Sequence, residues 1–380
     1  MSPSHSSRIA GVVPLLLAAA ACGKDTTGPG ALTFVTVSIG GGHSCGLSTS
    51  GEAWCWGLNS YGQLGDGTTT NSSTPVQVAG GLSFTALSSG YYHTCAVTAA
   101  GAAYCWGYGA DGELGDDSTI ARTVPVRVAG GLPFATVTSR FDHSCGLTTG
   151  GAIYCWGLNT DGQLGDSSNA NSAIPVAVAG GIRFTAVSAG YYHTCGLTLS
   201  LAVYCWGSNE RGQLGNFTQT FSPTPTAVGG GLTFTDVDAG YAHSCGVSGS
   251  AAFCWGHNDL GQLGDASTID SAGPTRVLGG IAFTAVTAGV AHSCGLSSNG
   301  AAYCWGYDFT GQLGDGTFTT SLTPVAVAGG LTFTQIAAGG GHTCAVATDG
   351  AAYCWGLNTY GQLGNGTTTS SPSPVRVIVP

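Results

Sequence analysis

Charged side chains make up only 7% of this 380-residue sequence, and Lys24 is its single lysine. A protein that grips nucleic acid needs a basic stripe to displace counterions from phosphates. None exists here, and the formal net charge is -10, so chromatin and RNA binding are excluded. With one methionine and few glutamates the chain is also poor in helix formers. The longest apolar run, Ile9 to Ala21, falls short of the roughly 20 residues that a membrane-spanning helix takes. No nucleophile elbow, phosphate-binding glycine loop or metalloprotease helix motif occurs, and no catalytic residue is assigned. What the chain has instead is 65 glycines, abundant Thr, Val and Ser, and 43% hydrophobic residues. Such a composition rules out intrinsic disorder and points to short strands joined by tight turns.

The first residues read as a processing signal. Arg8 precedes the apolar run, which ends in Ala19-Ala20-Ala21-Cys22 and resembles the lipobox of bacterial lipoproteins. The resemblance implies a signal peptide at 1–21, lipidation of Cys22, and a flexible tether at 22–31. It further implies export, as an outer-membrane or cell-surface lipoprotein that meets the membrane only through its acyl chains.

Everything after residue 31 is one unit repeated seven times. The triplet Cys-Trp-Gly recurs with its tryptophan at 56, 106, 156, 206, 255, 305 and 355. The repeats run 32–81, 82–131, 132–181, 182–231, 232–280, 281–330 and 331–380. Each holds four strand candidates, exemplified by FTAVSAG, HTCGLT, AVYCWG and a PVxV segment. Four antiparallel strands per unit of about 50 residues make one propeller blade. The sequence therefore predicts an all-β fold, a seven-bladed β-propeller of four-stranded antiparallel blades. The repeated pattern G-x-x-H-x-C-x-L…Y-C-W-G-x-N-x-x-G-Q-L-G-D resembles the regulator of chromosome condensation repeat, and the resemblance independently implies seven blades. Family roles in nucleotide exchange and chromatin binding do not suit an acidic, exported chain. Secreted bacterial propellers of similar repeat, which bind another protein with one rim, are a nearer analogy.

Fourteen of the fifteen cysteines fall two to a repeat. The pairs are Cys45 with Cys55, Cys95 with Cys105, Cys145 with Cys155, Cys195 with Cys205, Cys245 with Cys254, Cys294 with Cys304, and Cys344 with Cys354. A three-residue hairpin Thr49-Ser50-Gly51, with Gly51 left-handed, sets Cys45 opposite Cys55. The fifth repeat is one residue shorter, and a two-residue turn at Gly249-Ser250 restores the same opposition. Opposed Cα atoms lie about 4.5–5.5 Å apart, within reach of a bridge. Seven intrablade disulfides follow, as suits an oxidising compartment. Zinc held by His43, Cys45 and Cys55 is the rival reading, but it lacks a fourth ligand in all seven copies. The repeated histidines are then structural, bonded to a neighbouring blade's backbone. Neither metal nor cofactor is expected. Single aspartates after the Gln-Leu-Gly turns, such as Asp66 and Asp116, read as turn formers rather than calcium ligands.

A residue present in every blade builds blades, so a site for one partner must break the symmetry. Connection parity puts the turns before each repeated histidine on one rim with the long segments after Cys-Trp-Gly. On that rim the varying positions are Tyr91-Tyr92, Phe141-Asp142, Tyr191-Tyr192 and Tyr241, with Arg140 alongside. Long loops add Tyr108, Asp111, Asp161, Glu210 and Arg211. Tyrosine and arginine are favoured hot-spot residues, so Tyr91, Tyr92, Arg140, Phe141, Asp142, Tyr191, Tyr192 and Tyr241 form the candidate partner site. A monomer binding an unknown protein is expected; a glycan-binding or carbohydrate-active protein and a purely structural scaffold are the alternatives. Asp236 and Asp238 alternate along a strand in one repeat only, without a base beside them.

Overall fold

A computed structural model describes residues 32–379; the segments at 1–21 and 22–31, with Cys22, lie outside the described residues. The described residues form twenty-eight strands in seven four-stranded antiparallel sheets, each built from four consecutive strands. In the first blade these are β1 (Phe34–Ile39), β2 (His43–Ser48), β3 (Ala53–Gly57) and β4 (Ser72–Gln77). The protein is thus an all-β seven-bladed propeller.

Burial along each blade explains its composition. Strand β2 is buried throughout and β3 nearly so, because both of their faces meet neighbouring blades. The fourth strand is the outer edge, and prolines such as Pro75, Pro125 and Pro175 sit in it at an irregular step of the ladder. An edge strand tolerates a missing N–H there, and proline discourages pairing with another chain.

The core is divided among the seven junctions between blades. At one, Phe34, Val37 and Trp56 of blade one pack on the Cys344–Cys354 bridge, Val346 and Leu363 of blade seven. The ring closes by this packing rather than by a shared sheet. Main-chain and side-chain bonds span the same seam: Phe34 N–H donates to Gly350 O at 2.9 Å, and Trp56 Nε1–H to Gln362 O at 2.9 Å. Every repeated tryptophan is fully buried and makes the equivalent bond to the blade before it.

All seven expected disulfides are formed. Cys45 is bridged to Cys55, Cys95 to Cys105, Cys145 to Cys155, and Cys195 to Cys205. Blades five to seven bridge Cys245 to Cys254, Cys294 to Cys304, and Cys344 to Cys354. In each blade the two cysteines are direct partners across the second and third strands. Their Cα atoms stand 4.0 to 4.1 Å apart, closer than the expected spacing of an opposed pair. In blade five Ser248 pairs with Ala251 across Gly249-Ser250, so the shorter turn compensates the missing residue. Blade four keeps the three-residue turn although Leu201 replaces glycine, and Leu201 is held left-handed at φ 63°. Seven disulfides indicate folding in an oxidising compartment.

The repeated histidines differ from expectation in one respect. His43 Nε2 lies 2.9 Å from the Thr94 hydroxyl of the next blade, not against backbone. Thr94 in turn donates its proton to Gln63 O at 2.9 Å, so Nε2–H must be the donor to Thr94. The relay recurs at all seven junctions, ending with His342 on Ser44. Burial pushes the imidazoles down, to about 3 for His43, so they remain neutral in this role. A hydroxyl is needed because no single backbone group can both accept from the histidine and donate to the carbonyl of the blade that carries it.

Candidate functional site

The innermost strands of the blades line an axial channel and leave edge N–H groups without a sheet partner. Side chains of the preceding blade satisfy them: Ser89 N–H donates to Ser38, Ser139 N–H to Ser88, Ala239 N–H to Ser188 and Ala338 N–H to Thr287. In blade five aspartates do this work. Asp236 accepts Val286 N–H at 2.9 Å and Asp238 accepts Ala288 N–H at 2.8 Å.

Blade three breaks the pattern next to them. Arg140 stands where the other six repeats carry glycine, as at Gly90 and Gly190, and the following Phe141 has φ 35°. The arginine reaches into the channel, donating to Ala338 O at 3.2 Å and pairing with Asp238 at 3.5 Å. Two of the residues that depart from sevenfold symmetry therefore meet across the axis, around a polar cavity of about 290 Å³.

The predicted aromatic crescent divides in two. Tyr91, Phe141 and Tyr191 gather together: Phe141 stacks on Tyr191 at 4.6 Å, and Tyr91 meets both at 5.6 Å. With Arg140 they line the small void of about 10 Å³ at the end of the inner strands, and Tyr191 is buried. Tyr241 packs edge-on to Tyr191 at 4.7 Å. Tyr92 and Tyr192 stay partly exposed on the rim.

Outside this plug, the rim is organised by blade junctions. Long loops reach the next blade beside its repeated histidine, as Tyr360 does at Gly42 and Thr310 at Gly341 O. At the first junction Tyr61 contacts Tyr92 at 5.2 Å and Tyr108 at 5.0 Å, an all-tyrosine triad. The second junction carries Asp111 and Asp142, with Glu113 beneath them. Glu113 and Asp142 both border Gly157, whose ideal Cβ position lies 3.3 Å from Glu113 Cα and 2.5 Å from Asp142 O. Sequence reasoning named Asp111 and Tyr108 but passed over Tyr61 and Glu113. The signal for Glu113 was present, since the other six repeats have glutamine there.

Electrostatics single out this second junction. Glu113 is fully buried; its Oε2 accepts Asp111 N–H at 3.0 Å, while Oε1 has no partner. Burial, reinforced by the charges of Asp142 and Asp111, pushes its carboxyl up to about 8. Burial and then Asp111 push Asp142 up to about 7. Arg140 turns away to Asp238 and Arg122 pairs with Asp116, so neither offers a counter-charge.

A pH-dependent outcome follows. Between the unfolded value near 4.5 and the folded value near 8, native Glu113 holds a proton that the unfolded chain releases. Stability therefore falls as pH rises through that window. Glu113→Gln should stabilise the fold by on the order of 1–3 kcal/mol at pH 8 and by almost nothing at pH 4. Denaturant midpoints measured at both pH values check this; a gain that does not vary with pH would contradict it.

The RCC1-like domain profile matches residues 129–379, more than half of the chain. Profiles of the regulator of chromosome condensation (RCC1) repeat match residues 50–97 and 34–63. Among solved structures, human WBSCR16 is 21% identical and superposes with a TM-score of 0.80, over 87% of this chain and 94% of that one. Prp20p from Saccharomyces cerevisiae is 21% identical at a TM-score of 0.76, covering 91% of this chain and 87% of its own. The CRINKLY WD40 ectodomain of the Arabidopsis thaliana receptor kinase ACR4 is 24% identical at a TM-score of 0.54, covering 90% and 99%. At these identities the likeness concerns the fold. Profile and architecture agree, and the chain belongs to the RCC1-like domain family.

Proposed function

We propose that this protein is a non-enzymatic binding module of the bacterial cell envelope, held by a lipid on Cys22, that recognises a protein partner through its aromatic rim. The RCC1-like propeller is a common protein-binding scaffold, although some members act as exchange factors. The observation that carries the reading is a separation of roles. Residues repeated in all blades are consumed in junctions, bridges and relays, whereas the rim around blades one to four concentrates tyrosines and acids that only some of the repeats carry. Large, stiff, amphipathic side chains at a rim suit a protein interface. Bridges in every blade and the lipobox-like Ala19-Ala20-Ala21-Cys22 support an envelope location.

Tyr91 and Tyr191 are poor probes because they fill the central plug. Tyr61, Tyr92 and Tyr192 are better, being partly exposed. The triple alanine variant should retain the native near-UV circular dichroism of the buried tryptophans and lose at least tenfold in affinity for a partner purified from envelope extract. Retained affinity would remove this rim from consideration. Exposed tyrosines also stack on sugars, so a glycan array run with the same variant separates the second reading; binding to a defined glycan that the variant loses would favour it.

A further inference from the structure

We infer that the junction between blades two and three receives a basic side chain, the lysine or arginine of a partner's exposed loop, on Asp111 and Asp142 between the tyrosines Tyr92/Tyr108 and Tyr192. The inference deepens the rim reading and rests on it, because it names the chemistry of the partner at that rim.

Three independent observations lead there. The first is uncompensated charge. Asp111 and Asp142 share one junction, and the nearby arginines are engaged elsewhere, Arg140 in the channel and Arg122 on Asp116. Asp111 is met only by an amide, Asn171 Nδ2–H at 3.0 Å. The second is the buried acid below. Glu113 replaces the glutamine of the other six repeats and leaves Oε1 buried with no partner. A carboxyl placed there weakens the fold without a donor of its own, a cost that the glutamine of the other repeats does not carry. The third is the aromatic flank. Besides burial, the charge of Asp142 raises the phenols of Tyr92, Tyr108 and Tyr192 alike. Tyr92 and Tyr192 hold, in blades two and four, the position before the repeated histidine that Asp142 holds in blade three, so the ring sets one tyrosine on each side of it. Carboxylates framed by aromatic rings suit an organic cation, which gains ion pairing and cation–π contact together.

The alternatives fit less well. Among the described residues no three acids, histidines or cysteines converge closely enough to hold a metal ion. A neutral sugar would stack on the tyrosines but leave the carboxylates uncompensated. An acidic partner would be repelled.

The test uses the full-length, disulfide-intact protein and a defined probe, a flexible Gly-Ser peptide carrying three arginines, with the same peptide carrying three glutamines as control. Calorimetric titration should detect the arginine peptide and not the glutamine peptide. The Asp111→Asn/Asp142→Asn double variant should weaken binding at least tenfold, whereas Asp349→Asn, exposed at a hairpin on the opposite rim, should change it less than twofold. Equal losses in the two variants would mean attraction to net charge alone and overturn the inference. The purified partner separates the two proposals. If Tyr61, Tyr92 and Tyr192 are needed for its binding but Asp111→Asn/Asp142→Asn is not weakened, the basic side chain is refuted while the rim reading stands. If the double variant loses the partner at least tenfold while the charge-conserving variant Asp111→Glu keeps it, the inference holds.

Discussion

Reduced while unfolded and then returned to native buffer with reductant present, the protein should fail to refold, whereas the oxidised chain should regain its structure. Each bridge closes a loop of ten residues, or nine in blade five. In the chain-entropy treatment such a closure contributes about 2–3 kcal/mol, so seven together amount to on the order of 15 kcal/mol. A typical domain retains only about 5–15 kcal/mol of net stability. Even if the contributions sum to half that figure, little is left. The effect is tied to unfolding because every bridged cysteine is completely buried, and a reductant added to the native protein has no sulfur to attack. Alkylation should thus count few thiols before unfolding and fourteen after reduction in denaturant. Removing one bridge, by Cys245→Ser with Cys254→Ser, should cost only about 2–3 kcal/mol. Full recovery of near-UV circular dichroism by the reduced chain would show that packing at the junctions suffices, and the bridges would need another explanation.

The parts of this architecture that could be read from sequence are those fixed by local rules. A tryptophan every 50 residues requires a repeated sheet, and turn length alone decides whether two cysteines oppose one another. The shortened hairpin at Gly249-Ser250 made that reading secure, because the register survives only if the turn type changes with it. Leu201 shows tertiary context overriding propensity: the disulfide register and the Phe234 N–H bond to Leu201 O hold it where glycine is preferred. The inner and outer members of each aromatic pair were not separable in the same way. Tyr91 and Tyr92 lie in a turn, where no strand alternation dictates which side chain goes to the axis. Tyr61 escaped notice because its ring contacts, Tyr92 and Tyr108, are on the next blade. Arg140 and Asp238 are 98 residues apart and belong to non-adjacent blades, so only closure of the ring brings them together. The histidine relay was half legible, since recurrence marks the residue as structural but does not name the hydroxyl it meets.

Asp238→Ala is expected to be the most damaging single substitution in the channel, destabilising the protein by about 3–5 kcal/mol. Its Oδ1 accepts the Ser188 hydroxyl at 2.6 Å, and Oδ2 accepts Ala288 N–H at 2.8 Å, the Thr287 hydroxyl at 3.1 Å and Arg140 at 3.5 Å. Alanine would strand an inner-strand N–H and leave the guanidinium without its counter-charge. The Arg140→Ala change should be milder, about 1–2 kcal/mol, because Asp238 keeps three donors. Side-chain exposure of 13% for Arg140 and 21% for Asp238 admits some water, which places both figures toward their lower ends. Other blades suggest a rescue. Ser38, Ser88 and Ser188 cap the same N–H with a hydroxyl, and glycine occupies the position of Arg140 in the other six repeats. The double variant Arg140→Gly/Asp238→Ser restores the repeat's own solution and should recover to within about 1 kcal/mol of the parent, since replacing a whole ion pair is far less costly than breaking it. Denaturant midpoints of the four proteins test this. A double variant as unstable as Asp238→Ala would mean that the pair itself holds blades three and five in place; recovery would mean that stability alone does not require the pair, and that its role lies in the polarity of the cavity it crosses.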